Sequence, residues 1–70
     1  MKLSQSLEGK KIKIVTVDGE EFVGTVSDYI YPEDNELEGC SAIAVENCLQ
    51  RPRQWIGFND YEIASISIID

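Results

Sequence analysis

The sequence predicts an all-β domain, a small five-stranded antiparallel β-barrel, on three observations. Short segments rich in β-branched residues alternate with period two. Clusters of Gly, Pro, Asn and Asp separate them at regular spacing, and no segment beyond residue 9 sustains a 3.6-residue period. The chain of 70 residues leaves room for one hydrophobic core, so residues 1–70 read as a single domain. A hydrophobic content of 43% is enough to build that core and argues against intrinsic disorder. No apolar run approaches the roughly 20 residues that span a bilayer. No basic stretch followed by an apolar one opens the chain, and the expected location is the cytoplasm.

Residues 1–9 are compatible with a helical turn that Gly9 would end. The first strand is expected over residues 10–17 (KKIKIVTV), with Ile12, Ile14 and Thr16 on one face and Lys11, Lys13, Val15 and Val17 on the other. Asp18-Gly19 then predicts a two-residue type I′ turn, which needs positive φ at both central positions. A second strand over residues 21–31 places Phe22, Gly24, Val26, Asp28 and Ile30 on one face and Val23, Thr25, Ser27, Tyr29 and Tyr31 on the other; both faces are partly apolar, and the phase of Asp28 is expected to be the inward one. It exceeds the usual five or six residues, and Gly24 is where it is expected to bend, through a bulge or a close approach. Residues 32–39 (PEDNELEG) read as an acidic loop, 41–45 (SAIAV) as a third strand and 47–52 as a connection. Residues 53–58 (RQWIGF) read as a fourth strand, 59–62 as a tight turn and 63–69 (IASISII) as a fifth strand. Closing such a sheet would hide edges made of Ile and Val.

Charge is unevenly placed within the net −7. Lys2, Lys10, Lys11 and Lys13 outweigh Glu8 in the first thirteen residues, whereas residues 14–50 hold no Lys or Arg and are strongly acidic. Nucleic-acid affinity comes largely from neutralising phosphates, so the middle of this chain counts against it.

Residues 9–30, GKKIKIVTVDGEEFVGTVSDYI, resemble the first signature of the Sm-like (LSm) domain, with Gly19, Phe22, Gly24, Val26 and Asp28 in register. Residues 29–35 also resemble a Tyr-Ile-Tyr-Pro-Glu-Asp-Asn stretch of short acidic Sm-like proteins from Gram-positive bacteria. The resemblance implies an SH3-like barrel of the Sm-like type, and a structural role for Asp28 in bonding backbone groups of the adjoining loop. It also implies a ring in which the last strand pairs with the fourth strand of a neighbouring subunit. The departures bear on function. Where RNA-binding relatives carry an aromatic or His followed by Met-Asn, this chain has Pro32, Glu33, Asp34 and Asn35, with only Asn35 transferable and one residue out of register. Trp55-Ile56-Gly57 puts Ile where the second signature carries a cation. In a ring, Glu33, Asp34, Glu36 and Glu38 together with Asp60 and Glu62 would turn the RNA site acidic.

Catalytic and metal chemistry find little support. The chain has no His, the commonest general base and transition-metal ligand, and lacks a nucleophile elbow or phosphate loop. Asp34-x-Glu36-x-Glu38-Gly39 imitates the start of a calcium loop, but Val45 stands where the bidentate Glu is needed. Cys40 and Cys48 are expected to be reduced packing residues; a disulfide would require the connection between them to fold back. No cofactor, metal, membrane or small-molecule substrate is expected.

What remains is interaction. Arg51, Arg53 and Trp55 form the basic, aromatic candidate surface, with core burial of Trp55 as the competing reading. Ala64, Ile66 and Ile68 share one face of a terminal strand that must pair or risk aggregation, which makes them candidates for strand-edge assembly into a homo-oligomer. The expected function is a non-catalytic interaction or scaffold module that self-associates or binds another protein. The alternative is an RNA-binding protein using Lys10, Lys11, Lys13 and Asn35, with Arg51 and Arg53, as a displaced site.

Overall fold

The computed structural model describes residues 3–50 and 52–69. It is all-β: five antiparallel strands, β1 (Lys11–Thr16), β2 (Glu21–Ile30), β3 (Ala42–Glu46), β4 (Ile56–Asn59) and β5 (Ile63–Ile68), joined with three isolated 3-10 turns. The strands form one sheet in the order β4-β3-β2-β1-β5. Among the described residues β4 and β5 do not pair, so the sheet has two edges, contrary to the expected closure. One face carries the core. Ile12, Ile14, Val26, Ile43, Val45, Phe58 and Ile63 are buried there, joined by Leu3 and Cys48, with Phe22, Tyr29, Ile56 and Ile66 packed around them. The Phe22 and Phe58 rings meet at 5.3 Å, which ties β2 to β4 across the sheet's inner face.

The first hairpin forms where expected, but with a different turn. Only Gly19 takes positive φ (87°), the Gly19 N–H bonds the Thr16 carbonyl, and the Thr16 N–H bonds the Glu20 carbonyl. This is the three-residue loop with glycine in the left-handed position, and Val17 moves out of the strand into it. Glu20 is held further by the Thr16 hydroxyl, which accepts its N–H.

Gly24 marks a close approach. A Cβ there would sit 2.7 Å from Val45 Cγ1 and 2.8 Å from the Glu46 carbonyl oxygen. The bend falls later. Val26 pairs with Val45 but Asp28 pairs with Ala44, leaving Ser27 as an extra residue. That bulge reverses the alternation, so Tyr29 packs against the core and Asp28 is exposed. The inward phase expected for Asp28 is therefore corrected, and among the described residues its side chain makes no bond to the adjoining loop. A second bulge interrupts β5, where Ser65 pairs with Val15 and Ile63 with Thr16. It brings Ile63 onto the same face as Ile66 and Ile68 and takes exposed Ala64 off it. The single face expected for Ala64, Ile66 and Ile68 is thus broken between 64 and 66.

β4 starts three residues later than expected because Arg53 has φ 70°, a left-handed conformation incompatible with a strand. The 3-10 turn Gln5–Leu7 lies where a helical turn was expected, and Gly9 follows it at φ 81°.

Candidate interaction sites

Three surfaces collect the candidate residues, and each depends on how the sheet ends. The first is the β5 edge. Ile69 donates its N–H to the Lys11 carbonyl, and in an antiparallel ladder neighbouring residues point their backbone groups to opposite sides. Ser67 and Ser65 accordingly face β1, while the N–H and C=O groups of Ile66 and Ile68 face the open edge. Ile66 lies opposite Ile14 and Ile68 opposite Ile12, and both partners are fully buried, yet Ile68 is 56% exposed because among the described residues no strand covers the outer edge of β5. Among the described residues, apolar side chains and unpaired backbone groups thus occur together on β5.

The β4 edge is built differently. Asp60 donates to the Ser41 carbonyl, so Ile56 and Phe58 face β3 and the outer edge falls to Gly57 and Asn59. The Asn59 N–H is already engaged by Glu62 Oε1 at 2.9 Å, half of a reciprocal capping box on the 3-10 turn Asp60–Glu62. The tight turn expected over 59–62 is thus a capped 3-10 turn, and the Asn-x-x-Glu spacing is its signal in the sequence. A cleft of about 210 Å³ opens between β4 and the first hairpin. Phe22 and Ile56 contribute apolar surface to it, and Asp18, Glu20 and Glu62 line it with carboxylates. Trp55 precedes β4 and is 76% exposed, so core burial does not hold for it. Arg53 is exposed nearby in sequence, and Arg51 lies outside the described residues.

The third surface is the acidic end of the sheet, where residues 32–39 meet the turn at 59–62. Asn35 Nδ2 donates to the Cys40 carbonyl (2.9 Å) and to Asn59 Oδ1 (3.1 Å), and Ser41 Oγ donates to Asp60 Oδ2 (3.3 Å). The Glu38 carboxylate is the chief cause of a raised pKa at the Tyr61 hydroxyl, and burial adds to it. Burial raises the Cys40 thiol, with the Asp60 charge adding to it, and burial alone raises the Cys48 thiol. Both cysteines are free thiols. Raised thiol pKa values keep them protonated and poorly nucleophilic, as packing cysteines are.

The residues of the RNA alternative lie on or beside β1, in the acidic loop and, for Arg53, ahead of β4, and one of them, Arg51, is outside the described residues. Lys10 and Lys11 are exposed on or beside β1, Lys13 is engaged with Glu21 at 3.0 Å, and the Asn35 amide is committed to loop contacts at the acidic end. Of the Sm-like positions, Gly19 shapes the hairpin, Phe22 and Val26 face the core and Gly24 makes the close approach, while Asp28 stands outside that set. Among the described residues no group of three or more His, Cys, Asp or Glu is arranged to hold a metal ion. No helix is long and apolar enough to cross a membrane. No family model, curated protein or solved structure matches the chain.

Proposed function

We propose that this chain is a non-catalytic cytoplasmic interaction module, a partly open SH3-like barrel of the Sm-like type that self-associates through a sheet edge. The observation that carries the reading is the β5 edge, where the exposed Ile68 side chain and the outward backbone groups of Ile66 and Ile68 lie together. Strand addition satisfies both kinds of group at once, because main-chain bonds supply affinity and alternate side chains supply packing. It also enlarges the buried core of a chain short enough to be marginal by itself. The signature resemblance over residues 9–30, the core-facing Phe22 and Val26 and the tightly packed Gly24 support the Sm-like assignment. Free, packed thiols suit a reducing compartment.

The RNA reading has weaker support, since one of its three lysines, Lys13, is paired with Glu21 and its Asn35 is occupied. Light scattering over a concentration series from micromolar to millimolar tests the proposal. The expected result is a mass that rises above one chain with concentration. A strict monomer throughout, combined with salt-sensitive retention of RNA on a filter, would give the protein to RNA instead.

A further inference from the structure

We infer that self-association is two-fold: β5 pairs antiparallel with β5 of a second copy, with Ser67 on the axis. This rests on the self-associating reading above and specifies its geometry.

A chain of net −7 repels its own copy, so two copies meet best where neither presents a carboxylate. Residues 63–69 carry no charged side chain. The β4 edge lies beside the cleft lined by Asp18, Glu20 and Glu62. A β5 strand docked on β4 would lay its isoleucines beside those carboxylates and withdraw them from water, at a cost that apolar contact does not repay. It would also find the Asn59 N–H already taken by Glu62. β5 against β5 meets neither obstacle.

Register follows from the ladder. With Ser67 opposite Ser67 of the second copy, Ile66 stands opposite the other Ile68 and Ile68 opposite the other Ile66. Because Ile66 and Ile68 carry the outward backbone groups, each of these two pairs exchanges both of its main-chain bonds. Moving the axis to Ile66 would set Ile68 against the bulged Ala64, and moving it to Ile68 would set Ile66 against Asp70. Only the Ser67 axis pairs all the outward groups of these two residues while setting neither isoleucine against Ala64 or Asp70. The contact is isologous and closes at two chains, unlike the head-to-tail ring that the Sm-like resemblance implies. It joins the two sheets edge to edge and sets the exposed Ile68 of each copy against Ile66 of the other.

The axis makes a direct test possible. Ser67 and its symmetry mate form a non-hydrogen-bonded pair, whose Cα separation of about 4.5 Å is short enough for a disulfide. The experiment is oxidation of Ser67→Cys in a Cys40→Ser background, followed on a non-reducing gel, with Leu37→Cys in the same background as the collisional control. Ser67 and Leu37 are both exposed, and the native Cys48 is only 1% exposed. The expected result is a covalent dimer formed at least about ten-fold faster for Ser67→Cys than for Leu37→Cys, because the axis gives the two thiols a high effective concentration. Light scattering on the unmodified chain is run in parallel. Association without faster crosslinking at 67 overturns the two-fold geometry and leaves self-association standing. A monomer at every concentration, with equal crosslinking of both variants, overturns both.

Discussion

β4 and β5 end the same sheet, and their outer edges differ in composition. Along β5 the outward groups belong to two isoleucines in a segment free of charge. Along β4 they belong to Gly57 and Asn59, with one N–H capped by Glu62 and carboxylates on the neighbouring cleft. If β5 is the edge that associates, as proposed, an open edge is not in itself adhesive. Whether it accepts a strand depends on which backbone groups remain free and on which side chains must lose water with them. β4 is protected by acids and a local cap, whereas β5 has no such protection.

A charge at β5 is the most severe test of this contrast. Ile68→Lys should weaken self-association by at least about a hundred-fold, or roughly 2.7 kcal/mol, by placing an unpaired ammonium in the new interface. Trp55→Lys, beside β4, should leave the association constant within about a factor of two. Sedimentation equilibrium of the two variants measures both, and the opposite pattern would transfer the adhesive role to β4. Gly24→Ala should be next in size, because β2 is central to the sheet and the new methyl would meet Val45 and the Glu46 carbonyl. A loss of about 1–3 kcal/mol in urea unfolding is expected, and a loss below roughly 0.5 kcal/mol would mean the packing at Gly24 gives way easily. The smallest effect sharpens the β4 side. Glu62→Ala should cost about 1 kcal/mol by removing half of the capping box. It should also speed hydrogen exchange at the Asn59 amide without altering the association constant. Stronger association of this variant would show that the cap had been holding a second adhesive edge in check.

The arrangement of strands was legible in the sequence because alternation and turn residues agreed along most of the chain. Period two put Ile12 with Ile14 on one face of the first strand and Phe22 with Val26 on one face of the second, and all four do face the core. The same rule failed beyond Ser27 and around Ala64 for one reason. A bulge inserts a residue without leaving a mark in composition, and every later side chain changes face. Asp28 and Ala64 leave their expected faces on that account, and Tyr29 and Ile63 gain their core positions by the same shift. Arg53 shows another limit, since a left-handed arginine between Pro52 and Gln54 has no sequence signature comparable to that of glycine. Of the candidate surfaces, the exposed isoleucines of β5 were visible as an apolar terminal strand. The contrast with β4 was not, because it depends on which strands lack neighbours and on a cap that forms only once Asn59 and Glu62 are in place.

Glu8 shows how much of this sheet is made by something other than strands. Beyond the Ser27 bulge the Tyr29 N–H points to the side of β1, past the point where β1 begins, and Glu8 Oε2 accepts it at 2.9 Å. Gly9 continues the same line by donating to the Val26 carbonyl at 2.8 Å. The leading segment, which resembles a dispensable tail when fragment boundaries are drawn by secondary structure, therefore completes the far end of β2. A fragment begun at Lys10, or a fusion that pulls residues 3–9 away, removes the acceptor for one β2 amide and the donor for one β2 carbonyl, at the stretch where the strand bends.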